Sequence, residues 1–236
     1  MAKRCVIGTG LAVVCLMSTW APSPAVAGDL LGAERIVYEA DFDQESARIA
    51  YNPNADEYLV VWENTQPGGV QDIYARRVSG TGTVLSFSAI SGGDGISRIQ
   101  PDVAFDPVQD RYLVVYTKEI SGGPDTDIWG RFVPSTGVDP AHTEFFISWS
   151  IHPDDQPSVD YGRGSVVGEK FLVVWATNET VTDYIYANFV FGDGTGIGTP
   201  WRISSSTNSD RWTPRLAYNR SRSEFLVTWS QYFGLA

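Results

Sequence analysis

Cysteine is nearly missing from this 236-residue chain: the only two, Cys5 and Cys15, lie within the first fifteen positions. Beyond that stretch neither a disulfide framework nor a thiolate nucleophile is expected. Histidine is as scarce. His142 and His152 are the whole supply, and their settings suit a loop and a pre-proline position rather than a zinc pair. Positive charge is in deficit, with 17 Lys+Arg against 28 Asp+Glu, a net charge of −11 and a pI of about 4.5. Nucleic acid is therefore not an expected partner, because phosphate binding needs a clustered basic footprint. Long apolar runs are lacking too: Cys5 to Met17 falls short of the roughly 20 residues that cross a bilayer. What the chain does have is punctuation. Its 23 glycines and 13 prolines, with 13% aromatics and 43% hydrophobic residues, suit many short strands around a real core.

The first 27 residues have the layout of an export signal. Lys3 and Arg4 precede the apolar run, Pro22 and Pro24 break it, and Ala25-Val26-Ala27 offers the small-x-small site of a signal peptidase. Val14 is bulky where a lipid-anchored leader wants a small residue before its cysteine, so cleavage is expected after Ala27. Removal takes both cysteines away and leaves residues 28–236 as a secreted, periplasmic or cell-surface domain held by its core alone.

Internal repetition organises that domain. Ile49-Ala50-Tyr51 followed by Tyr58-Leu59-Val60-Val61-Trp62 returns as Val103-Ala104-Phe105 with Tyr112-Leu113-Val114-Val115-Tyr116. It returns again as Val159-Asp160-Tyr161 with Phe171-Leu172-Val173-Val174-Trp175, and as Leu216-Ala217-Tyr218 with Phe225-Leu226-Val227-Thr228-Trp229. The closing aromatics are 54, 59 and 54 residues apart, so repeats begin near 47, 101, 157 and 214. After each of the first three aromatics comes a second element: Asp72-Ile73-Tyr74-Ala75-Arg76-Arg77-Val78, Asp127-Ile128-Trp129-Gly130-Arg131-Phe132-Val133 and Tyr184-Ile185-Tyr186-Ala187-Asn188-Phe189-Val190. A short strand then leads to the next copy: Phe87 to Ile90, Phe145 to Ser148, Trp201 to Ser204. Four strands per unit of about 55 residues predicts propeller blades.

The strand chemistry agrees. Tyr58, Val60 and Trp62 face one side of a strand and Leu59 and Val61 the other, so both faces are apolar, as in a sheet covered on each side. Ala33 to Asn52 has a composition that also suits a helix, but Ile36-Val37-Tyr38 sits where the last strand of a preceding blade belongs. The text "YLVVW … DIYxRxV … G" resembles a family of exported bacterial β-propeller repeat proteins, most without an assigned activity. The resemblance covers 34–236. It implies four-stranded antiparallel blades about a central channel with the first strand innermost. It also implies one face built from the loops entering the first strand and those joining the second to the third.

Those loops are rich in carboxylates, among them Glu63, Glu119, Asp154 and Asp155, and an acidic rim could hold a cation or a basic partner. A solvated acidic surface is the plainer reading. Calcium would suit hard oxygen ligands, with Asp94, Asp125 and Asp127 as candidates, but none of these matches an EF-hand loop and no cofactor is expected. The recurring Asp72, Asp127 and Asp183 are expected to fix turns, and Trp62, Trp175 and Trp229 to be core. Trp212, between Arg211 and Pro214, is expected in a loop as an exposed contact. No G-x-S-x-G elbow, phosphate loop or sialidase-type Asp-box is present.

The function these residues suggest is an exported propeller module that binds a protein or glycan. The alternative is a polysaccharide hydrolase or lyase working through loop-face carboxylates. The fourth copy stops after its second strand, so an open arc of a larger propeller is expected, three blades complete and one partial. Its bare faces predict self-association of residues 28–236 expressed alone, and further copies of the repeat are expected beyond Ala236.

Overall fold

The computed structural model describes residues 5–8, 34–39, 41–120, 125–137, 143–164, 168–179, 182–192, 196–205 and 209–232. Among them all regular structure is strand. β1 (Cys5–Gly8) pairs antiparallel with β2 (Glu34–Tyr38), while the expected cleavage site at Ala27 and His142 lie outside the described residues. β3 (Gln44–Asn52), β4 (Glu57–Thr65), β5 (Gln71–Ser79) and β6 (Val84–Ala89) form the first four-stranded sheet in chain order. β7 (Arg98–Asp106), β8 (Arg111–Glu119), β9 (Thr126–Pro134) and β10 (Phe145–Phe146) form the second. β11 (Asp154–Gly164), β12 (Gly168–Glu179), β13 (Thr182–Phe191) and β14 (Trp201–Arg202) form the third. The last sheet has two strands, β15 (Arg211–Asn219) and β16 (Glu224–Gln231). Every pairing is antiparallel. The segment of ambiguous composition, Ala33 to Asn52, holds strands β2 and β3 and no helix.

Double-sided burial holds the blades. Tyr112 through Tyr116 of β8 are all 0% exposed, because alternate side chains enter two different seams. Leu113 and Val115 join Val173 and Trp175 between the second and third sheets. Tyr112, Val114 and Tyr116 join Leu59 and Val61 between the first and second. Val37 and Tyr38 of β2 cap Val60, Trp62 and Val78 on the outer side of the first sheet, as the end of a preceding blade would. In the seam between the third and fourth sheets, Leu172 and Val174 meet Leu216, Phe225, Val227 and Trp229.

Turns between first and second strands repeat one device. The side-chain oxygens of Asn52, Asp106 and Asn219 each accept two backbone N–H bonds from the residues that follow, closing the hairpin. The third hairpin instead turns at Gly168, whose φ of 70° lies in the left-handed region.

A second repeated device was not visible in the sequence. Each innermost strand carries a bulge, and within it Ser46, Gln100, Gln156 and Thr213 adopt φ between 49° and 56°. The bulge amides tie neighbouring blades together. Gln100 N–H donates to Glu63 Oε1 (2.6 Å), Gln156 N–H to Gln100 Oε1 (2.8 Å) and Thr213 N–H to Gln156 Oε1 (2.6 Å). Asp102 and Asp160 make similar links, accepting from the amides of Val159 and Tyr218 in the following blade. All four inner strands contribute to one axial cleft of about 470 Å³, where Ala50, Ala104, Asp160 and Tyr218 meet.

Candidate functional site

The face formed by the loops entering the inner strands shows how one position serves different ends. The first residue of each inner strand is Gln44, Arg98, Asp154 or Arg211, and all four are buried. Arg98 is satisfied by two carboxylates: Asp94 takes its Nη1 and Nη2 (2.7 and 2.8 Å), and Glu144 takes its Nε and Nη2 (3.2 and 2.9 Å). Arg211 donates to the Ser209 carbonyl (2.7 Å) and lies beside the Tyr184 ring. Asp154 is the only acid of these four residues.

Burial pushes the Asp154 carboxyl up to about 6; nearby Asp127 adds to this, while the side chains of Ser148, Thr177 and Trp175 offset part of it. The Thr177 hydroxyl donates to its Oδ1 (2.6 Å). Asp154 and Thr177 are cross-strand partners, and Glu179, two residues further along β12, shares their face. Glu179 Oε1 accepts from the Tyr186 hydroxyl at 2.5 Å. These groups line a cleft of about 230 Å³ with Trp149, Ile151, His152 and Trp175. Trp149 is 65% exposed and held edge-on by Phe146, their ring centres 4.8 Å apart. An exposed, propped ring beside two carboxylates can stack on a sugar face while the acids handle protons.

The other expected site residues are dispersed. Asp155 points to the opposite face of the sheet from Asp154; burial and the charge of Asp183 push it up to about 6. Glu63 is buried and spends its carboxylate on the Gln100 amide and on Gln71. Glu119 is exposed at the end of β8. Asp94 is bound to Arg98, which holds its carboxyl well below the usual range. Asp125 accepts its neighbour's amide, from Thr126, and Asp127 that of Ser150. Asp72 likewise receives the Gly93 amide, so Asp72 and Asp127 each hold the loop after their own fourth strand. Among the described residues no three His, Cys, Asp or Glu side chains converge as metal ligands.

Trp212 is corrected. It lies in strand β15 rather than a loop, paired with Ser230 and half-buried. The bulge at Thr213 lets pairing continue past Pro214, so the proline does not break the strand. Since Arg211 faces the third sheet, Trp212 faces away from it. Trp149, Glu179 and Tyr186 line the cleft with Asp154, and Trp212 is not among its lining residues. The trace of Trp149 in the sequence is an aromatic off the strand pattern, in a polar loop with Ile151.

No known family profile matches the chain, and no curated protein matches it. Solved structures do. An endo-arabinase from Bacteroides thetaiotaomicron VPI-5482 superposes with a TM-score of 0.55 at 11% identity, over 85% of this chain and 77% of that one. A thermostable family-43 glycoside hydrolase gives 0.51 at 13% identity, over 80% and 66%. An N-acetylgalactosamine deacetylase from F. plautii, solved with blood group B trisaccharide, gives 0.55 at 13%, over 81% and 63%. The fold is an arc of a β-propeller. At these identities the likeness is one of fold, and the chain spans about two thirds of the latter two proteins.

Proposed function

We propose that this propeller acts on a polysaccharide outside the cytoplasm, after removal of residues 1–27, and hydrolyses it at the Trp149–Asp154–Glu179 cleft. The observation that carries the reading is a propped, exposed Trp149 in one cleft with two carboxylates, Asp154 bonded to the Thr177 hydroxyl and Glu179 to the Tyr186 hydroxyl. Asp154, raised to about 6, would give its proton to a leaving oxygen. Glu179, held by the Tyr186 phenol, would work as the base. The glycan-processing neighbours on the same fold support this reading over a bare scaffold.

The test is release of reducing ends from a panel of polysaccharides that includes arabinan. Asp154→Asn and Glu179→Gln are expected to lower kcat by about 100-fold or more. Trp149→Ala is expected to raise KM about tenfold with kcat kept. Binding of a glycan by the wild type with no turnover on any substrate would overturn hydrolysis. It would leave a binding module, a reading favoured by Glu63, Asp94 and Asp127 being engaged in holding the fold.

A further inference from the structure

The loop that follows the fourth strand takes opposite forms in the first two blades. Ala89 pairs with Tyr74 as Phe146 pairs with Trp129, and the amides of Ser91 and Ser148 both return to the third strand, on the carbonyls of Ile73 and Ile128. Position for position, Ala89 and Gly92 therefore stand where Phe146 and its supported Trp149 stand one blade on. The second blade fills the place with two rings, and the first leaves it open. A cleft of about 460 Å³ lies there, lined by Gln66, Asp72, Tyr74, Ser91, Gly92 and Arg131. Gly92 has a φ of 134°, and a β-carbon on it would come within 2.2 Å of the Asp72 carboxyl group, so only glycine leaves that group clear.

Two groups on the wall of this cleft are buried without being used. Asp72 and Ser91 are 6% and 8% exposed, and among the described residues Asp72 Oδ1 and Ser91 Oγ have no hydrogen-bond partner. The equivalent serines of the next two blades are occupied: Ser148 Oγ accepts the Ile128 amide and Ser204 Oγ that of Ile185, each at 3.0 Å. A buried polar group left unpaired is destabilising, and a ligand that pairs it removes the penalty. Tyr74 adds a donor. Its hydroxyl oxygen accepts from Gln66 Nε2 (2.6 Å), which leaves the phenol proton to be given. Its ring is fixed edge-on between Tyr38 and Phe87.

We propose that this cleft binds a neutral sugar unit, at a site separate from the Trp149 cleft and independent of turnover there. Charge selects the class. Asp72 repels an anion and Arg131 a cation, which leaves an uncharged ligand. Sugar hydroxyls donate and accept at once, so they suit an unpaired carboxyl oxygen, an unpaired hydroxyl and a phenol standing together. One hydroxyl donates to Asp72 Oδ1 and another pairs with Ser91 Oγ, while the bare backbone of Gly92 lets the ring come close. The volume lies within the about 300–1,000 Å³ of small-ligand sites.

The probes are arabinotriose, xylotriose, cellotriose and mannotriose, each titrated calorimetrically into the purified full chain carrying Trp149→Ala. The readout is affinity in a chain whose other cleft has lost its stacking ring, so this proposal and hydrolysis at that cleft fail separately. At least one trisaccharide is expected to bind saturably, and adding Ser91→Ala or Asp72→Asn to weaken it about three- to tenfold. Ser91→Ala is the sharper variant. It deletes an unpaired hydroxyl, so its melting temperature should match or exceed that of its parent while its affinity falls. A lowered melting temperature with affinity kept would show a role in folding alone and overturn the proposal. So would the failure of all four trisaccharides to bind, or tighter binding of glucuronate or calcium chloride than of any of them.

Discussion

Asp154 and Arg98 stand at the same position of consecutive repeats and are equally buried, at 1% exposure, but they need opposite things from their surroundings. Arg98 has two carboxylates on its guanidinium. Asp154 has the Thr177 hydroxyl, and with Asp155 it holds its proton more tightly in the folded chain than in the unfolded one. The folded state then binds more protons between about pH 4 and pH 6, and stability falls as pH rises through that window. Asp94 works the other way. Its hydrogen bonds with Arg98 lower it, so the stability it brings is complete above the ordinary carboxylate range and lost as pH falls below it. Glu144 behaves alike: burial pushes it up, but Arg98, Lys118 and Tyr116 outweigh that and hold it low. A melting temperature that peaks in mildly acidic buffer is expected, and Asp154→Asn should flatten its decline toward neutral pH. Calorimetry across pH 3–8 checks this; a plateau from pH 5 to 8 in the wild type would contradict the burial assigned to Asp154.

At the scale of the strand, the bulges set where each blade meets the next. Replacing Gln156 by Ala removes the acceptor of the Thr213 amide and keeps the β-carbon that already stands in the left-handed region. A loss of about 0.5–1.5 kcal/mol is expected in urea denaturation. Gln156→Glu, which keeps an acceptor oxygen, should recover most of it. Equal losses for the two variants would show that the tie contributes nothing. The blades themselves were legible from the residues, because Tyr58 to Trp62 and its copies are apolar on both faces and recur at a fixed distance. The bulges were not, because Ser46, Gln100, Gln156 and Thr213 share no chemistry that marks a left-handed turn. Nor were the partners of the acids. Glu63 resembles any loop carboxylate until the fold brings the Gln100 amide, 37 positions away, within 2.6 Å. Trp212 misled for a related reason: a following proline suggests a loop, but a bulge makes room for it inside a strand.

At the scale of the whole molecule, burial is uneven among the described strands. Second strands β4, β8 and β12 are buried on both faces, whereas β16 alternates and leaves Leu226 66% exposed. Amides of β16 should exchange at least about 100-fold faster than those of β8, as hydrogen-exchange mass spectrometry would read. Uniform protection across the four sheets would mean that the last one is covered in solution. The bulge ties add a direction to this gradient. Glu63 receives from the second blade, Gln100 from the third and Gln156 from the fourth, so each of the first three blades carries the acceptor that the next one requires. A chain made from its N-terminus meets each partner already in place. Among these four sheets the order of synthesis is thus also one in which each bulge amide finds its acceptor already made.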